Sequence, residues 1–227
     1  MTDEIKKEAI EQLEKDVLFG FENGDDLLES ISEMFYDETD FDENWLKKEI
    51  DIRLKNHQKE SRSWEKPTDF ERLVKSFDEL NENKIVSLHR AGYTKSDGEE
   101  DCSEIIDELK VIGISVNGYC YYHTQDLERA IGKEKMLFIG FDSYNRDDGL
   151  AKEVAEKIIS VLTNNGFKTK WNGSIDTRIE ILNIDWKKAV DNIDYNYSRV
   201  FDIIEKHHKP VNNEKIKADN KPFWKIW

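Results

Sequence analysis

Ile5, Ala9, Ile10, Leu13, Val17 and Phe21 recur at spacings of three and four, which puts one apolar stripe on a first helix. Gly20 to Gly24 interrupts it. Asp25 or Asp26 can open a second helix, whose apolar face is Leu27, Leu28, Ile31, Met34 and Phe35. An acidic run from Asp37 to Asn44 separates it from a third helix, capped by Asp42 and carrying Trp45, Leu46, Ile50, Ile52 and Leu54. Three such stripes predict a helical N-terminal subdomain over residues 1–64, with Trp64 and Pro67 at its boundary.

Beyond Pro67 the period changes repeatedly. Thr68 with Glu71 forms a capping box, and Phe70, Leu73, Val74, Phe77 and Leu80 give the next helix its face. Lys84 to His89 alternates as a strand, with Val86 and Leu88 on one side and Ile85, Ser87 and His89 on the other. The segment AGYTKSDG reads as a loop, Ser96 with Glu99 as a second capping box, and Ile105, Ile106, Leu109 and Val111 as the helix that follows. Gly118 to Tyr122 favours a strand, and Thr124 then caps a short helix through Leu127, Ala130 and Ile131. Lys135 to Phe141 is a near-continuous apolar run, as expected of a strand covered on both faces.

Leu150, Val154, Ile158, Val161 and Leu162 mark another helix, which Gly166 ends. Phe167, Thr169 and Trp171 alternate with Lys168 and Lys170, so Trp171 is expected to be buried with Phe167 while the lysines face water. An Asn-Gly-Ser turn joins this strand to Arg178–Ile184 as a hairpin. Trp186, Val190, Ile193, Tyr197, Phe201 and Ile204 predict one long final helix, followed by a basic, aromatic tail over 209–227 that is expected to dock on the protein's own surface. The fold expected is α+β: an α+β core over 65–208, with helices packed on a mixed or mainly antiparallel sheet of about five strands. Ferredoxin-like layering is the nearest analogy, with the N-terminal helices or the last helix covering the second sheet face.

Charge narrows the function classes. The chain of 227 residues has a formal net charge of -15, which opposes binding to nucleic acid or an anionic membrane and suits a basic protein partner. Hydrophobic residues at 37% are enough for a core, so the acidity belongs to a folded surface and not to a disordered tail. The N-terminus lacks an apolar signal core and no run is long enough to span a bilayer, so a cytoplasmic protein is expected. Cys102 and Cys120 make neither a disulfide framework nor a metal-ligand spacing, and read as buried thiols. The acidic run at 37–44 lacks the glycine and terminal glutamate of a calcium loop, so it reads as solvated. No cofactor or metal is expected.

Candidate chemistry gathers where strands end. His89 closes one strand and His123 another, and if the strands are neighbours the two imidazoles could meet at one sheet edge. Asp97 or Asp126 beside them would make a general base or a divalent-metal site chemically feasible. Ser96 lacks the G-x-S-x-G setting of an activated serine. The alternative is that His123, Asp126 and Arg129 bond to one another and to the loop at Tyr93 to Gly98, locking two connections together. The corresponding functions are a non-enzymatic inhibitor, immunity-like or regulatory module, or a hydrolase or metal-dependent enzyme centred on His89 and His123.

LHRAGYTKSDG (88–98) followed by GYCYYHTQDLERA (118–130) resembles the paired signature of a bacterial family of uncharacterised proteins known only as a domain of unknown function. The likeness extends through the hairpin and more faintly into the N-terminal helices. It implies no activity, cofactor or catalytic residue. It does imply that His89, Tyr93, Ser96, Asp97, His123, Gln125, Asp126, Glu128 and Arg129 match the family's motif, which points to a location and not to a reaction.

Overall fold

A computed structural model describes residues 1–208. The first three helices, α1 (Asp3–Phe19), α2 (Gly24–Met34) and α3 (Glu43–Ser61), follow the three apolar stripes and share a cluster built on Leu13, Leu27, Ile31, Leu46 and Ile50. Asp42 caps α3 by accepting from the Trp45 N–H at 3.0 Å, whereas α2 starts one residue before Asp25, capped by Asn23. The Thr68–Glu71 box opens α4 (Asp69–Glu82) with both reciprocal bonds in place, at 3.2 and 2.8 Å.

The remainder is β1 (Ile85–Leu88), α5 (Lys95–Val111), β2 (Gly118–Tyr121), α6 (Thr124–Ile131), β3 (Met136–Ser143), α7 (Asp148–Asn164), β4 (Lys168–Lys170), β5 (Ile179–Leu182) and α8 (Tyr197–His207). The five strands form one mixed sheet in the order β1-β2-β3-β5-β4, parallel only between β1 and β2. The protein is therefore α+β with a helical N-terminus. Among the described residues, no helix is long and apolar enough to cross a membrane.

Alternation along β1 and β2 divides the core. Ile85, Cys120 and Tyr122 face α4, α6 and α7, while Val86, Leu88, Tyr119 and Tyr121 face α5 and α8. Helices thus lie on both faces at β1 and β2, and a one-sided layering like that of a ferredoxin-like sandwich is confined to β3, β5 and β4. There Leu137, Ile139, Ile179 and Ile181 are buried, while Phe138 and Glu180 on the reverse face are half-buried. The hairpin forms as expected, with Phe167 buried and Lys168 and Lys170 exposed. Trp171 is only half-buried, its ring edge-on to Phe141 and its Nε1 donating to the Ser174 carbonyl.

The long final helix does not form. Residues 186–196 instead run as an irregular strap. Asp191 and Asp194 side chains accept from the N–H groups of Ile193, Asn196 and Ser198, offering the backbone partners other than helical carbonyls. Trp186 Nε1 donates to the Phe19 carbonyl, and Lys188, 1% exposed, sits among the rings of Phe21, Phe70 and Tyr195 with its Nζ 3.2 Å from Asp191. Gly20 lets the strap approach: a Cβ there would lie 2.4 Å from the Lys188 carbonyl oxygen, and its φ is +78°. The expected docking of the aromatic tail lies outside the described residues.

One packing detail fixes α5 against the sheet. The Tyr121 ring lies between Gly98 of α5 and Gly140 of β3, where added Cβ atoms would come within 2.5 and 2.7 Å of it, and its hydroxyl donates to the Lys95 carbonyl at 3.1 Å. Gly98 is consequently helical and not the end of a loop. Helix propensity alone favours Gly98→Ala by about 1 kcal/mol. The Tyr121 contact reverses the sign, and a net loss of about 1–3 kcal/mol is expected in urea unfolding. A more stable variant would show that the ring yields easily.

Candidate functional site

The chain places His123 at the N-cap of α6, one residue earlier than Thr124. Its backbone N–H donates to Asp126 Oδ2 at 3.3 Å, the return half of a capping box. The carboxylate of Asp126 is completely buried, and burial pushes its pKa up. The opposing charge comes from Arg178, immediately before β5, whose Nη1 donates to both carboxylate oxygens at 2.9 and 3.0 Å. His123 Nε2 lies 3.2 Å from both Asp126 Oδ2 and Arg178 Nη1, and burial holds its pKa below the usual value. The ring rests against the Asp126 N–H in the manner of a cap, yet its buried Nδ1 makes no hydrogen bond of ordinary geometry. Arg129 stands further out, 3.6 Å from Asp126, and its guanidinium and that of Arg178 both lie over the Phe138 ring.

The two connections are locked together mostly through backbone. Ala91 N donates to the Tyr122 carbonyl, Thr124 N and Oγ1 to the Gly92 carbonyl, and Gln125 N to the Tyr93 carbonyl. Asp97 accepts from the Tyr93 and Thr94 N–H groups, which holds its pKa down and makes Thr94–Asp97 the capping box of α5 in place of Ser96–Glu99. Ser96 is exposed on the first turn, and the Tyr93 side chain is exposed too. Gln125 is exposed, and Glu128 reaches α1 through an ion pair with Lys15 at 2.9 Å. Ser96, His123, Gln125 and Arg129 border an open cavity of about 490 Å³, together with Arg178 and the unforeseen Lys95 and Asp176.

His89 does not share this site. In the register Leu88 lies opposite Tyr121, so period-two alternation sends His89 and His123 to opposite faces of the sheet. His89 is buried among Phe70, Phe77, Tyr122 and Tyr195, with a 2.9 Å hydrogen bond between its Nδ1 and the Tyr122 hydroxyl. Burial pushes its pKa down to about 3, and the charges of Arg199 and Lys188 act in the same direction. Among the described residues no three His, Cys, Asp or Glu side chains could hold a metal ion together.

In the sequence Arg178 is only the first residue of an alternating hairpin strand. Its partnership with Asp126 depends on β3 pairing with β5, a contact between distant segments.

A model of a family described as Domain of unknown function (DUF6891) matches residues 2–190. The chain belongs to this family. No curated protein and no solved structure matches it. The matched region takes in the N-terminal helices, both connections of the candidate site, the hairpin and the beginning of the strap.

Two measurements test the roles assigned here. Asp126→Ala strands Arg178 without its counter-charge and is expected to cost about 3–5 kcal/mol in urea unfolding. Adding Arg178→Ala should cost less than the sum of the two single effects; unchanged stability of Asp126→Ala would overturn a structural role for the pair. Folded His89 stays neutral down to about pH 3, whereas the unfolded imidazole takes its proton near pH 6.5. Between those values the unfolded chain holds the extra proton, so stability rises with pH and is lost as pH falls through that window. His89→Gln should remove up to one proton's worth of the slope of stability against pH.

Proposed function

We propose that the protein is a non-enzymatic, acidic interaction module of the cytoplasm, an inhibitor, immunity-like or regulatory protein that docks a basic protein partner on the outer face of α5. The observation that carries this reading is the mutual crowding of carboxylates on that face. Glu100, Glu104 and Glu108 follow at four-residue spacing with Asp101 beside them, and among the described residues no ion pair neutralises any of the four. Burial pushes the Asp101 and Glu108 carboxyls above their usual range, and Glu104 raises both further. Tyr197, 41% exposed, borders the ridge, and Val111, 82% exposed, ends it. Acidic groups left to repel one another beside exposed apolar side chains suit a cationic surface, which would relieve the repulsion on docking.

The competing reading as a hydrolase or metal-dependent enzyme centred on His89 and His123 draws less support. One imidazole is sealed in an aromatic cage and the other lies on the opposite face of the sheet, so the pair cannot act on one substrate atom.

Binding to a lysine-rich peptide, measured by calorimetry at low and high salt, tests the proposal. Affinity should fall with salt and collapse on combined Glu100→Lys, Glu104→Lys and Glu108→Lys. Reversing the exposed Glu4, Glu8 and Glu29 changes the net charge equally and should leave most of the binding. Equal losses in the two triple variants would sink the α5 assignment. Glu104→Gln alone should stabilise the fold by about 0.2–0.5 kcal/mol, because it removes like-charge neighbours one turn away.

A further inference from the structure

On this acidic chain, a cavity at the junction of α5 and α6 has a largely cationic rim. Lys95, Arg129 and Arg178 border it, against the single carboxylate of Asp176 on its wall and the buried, already paired Asp126 beneath. These cations are only loosely satisfied. Lys95 lies 3.5 Å from Glu99 with its side chain 70% exposed, and Arg129 lies 3.9 Å from Glu134 and 3.6 Å from Asp126. Arg178 spends Nη1 on Asp126 and His123, and among the described residues its Nε and Nη2 have no hydrogen-bond partner.

The backbone adds to the same field. Lys95 and Ser96 form the first turn of α5, where N–H groups have no carbonyl partner within the helix and the dipole favours negative charge. Ser96 contributes a hydroxyl. His123, 3% exposed, closes one wall of the cavity, its ring against the Asp126 N–H and its Nε2 beside Arg178, which fixes where the Arg178 guanidinium stands.

We infer that this cavity binds a phosphate group, either free inorganic phosphate or the monoester of a small molecule, between the first turn of α5 and the guanidinium groups of Arg129 and Arg178. Forked guanidinium donors and a helix N-terminus together match the several oxygens of a tetrahedral dianion better than the two oxygens of a carboxylate. The cavity is open, so it recognises the phosphate and leaves the remainder of a monoester in solvent. This site is on a different part of the surface chemistry from the acidic ridge, and either assignment can fail without the other.

The test is a titration of the full chain at constant ionic strength, followed by amide and arginine Nε shifts, with inorganic phosphate, phenyl phosphate and acetate as probes. Saturable shifts confined to residues 94–97, 123–125, Arg129 and Arg178 are expected for one or both phosphates. Saturation by inorganic phosphate alone identifies the free ion, and tighter binding of phenyl phosphate identifies a monoester. Lys95→Gln and Arg129→Gln replace exposed side chains that the fold does not require, and each should weaken binding about three- to tenfold. Asp176→Asn removes the opposing carboxylate and should tighten binding by about threefold. Non-saturable shifts, acetate binding as tight as phosphate, or affinities indifferent to all three substitutions would overturn the inference.

Discussion

A carboxylate without solvent is the constraint around which this protein is assembled. Asp126 is wholly buried at the third position of a short helix, and an isolated charge there would cost several kcal/mol. Its neutralisation comes from a residue more than fifty positions away in sequence, which has to be delivered by the β3–β5 pairing and the hairpin. Sheet register, hairpin length and the start of α6 are therefore tied to one ion pair. The imidazole of His123 fills the space beside that pair, and the same burial holds its pKa below the usual value. A buried pair of this kind contributes little net stability compared with an apolar substitute, but it penalises every arrangement in which the partners fail to meet.

The second organising contact is steric. Tyr121 occupies room that two glycines leave open, and its hydroxyl holds the first turn of α5 from below. The backbone bonds between 91–93 and 122–125 then bring the openings of α5 and α6 side by side. Cationic side chains from both helices and from the hairpin converge above that junction, in a molecule whose overall charge is strongly negative. Local field and net charge are separate properties, set by different residues.

Much of the architecture was legible because its causes are local. Helix stripes, the Asp42 cap, the Thr68–Glu71 box and the alternating hairpin each rest on residues within a few positions of one another. The misreadings arise where the cause is distant or where two local rules compete. Gly98 looks like a loop residue until the Tyr121 ring is placed against it. Residues 186–204 have a helical spacing of apolar groups, yet the Asp191 and Asp194 side chains bind backbone N–H groups and Lys188 turns inward. The closeness of His123, Asp126 and Arg129 follows from helical spacing, but Arg178, the strongest partner of Asp126, is invisible without strand pairing. His89 and His123 were each rightly placed at strand ends; only the β1–β2 register shows that they point to opposite sides.

The strap carries a consequence for how the chain is made. It bonds to the N-terminal helices: His57 Nε2 meets the Lys188 carbonyl at 3.0 Å, and Trp186 Nε1 donates to the Phe19 carbonyl. Synthesis runs from the N-terminus, so α1, α2 and α3 leave the ribosome long before the residues that clasp them. During that interval Phe19 and Phe21 lack both the strap and the sheet that bury them, a large delay between apolar surface appearing and its cover arriving. Contacts of such long sequence separation slow the final docking step as well. The early helices are densely charged, and like charge on two incomplete copies opposes their association before residue 188 closes the molecule.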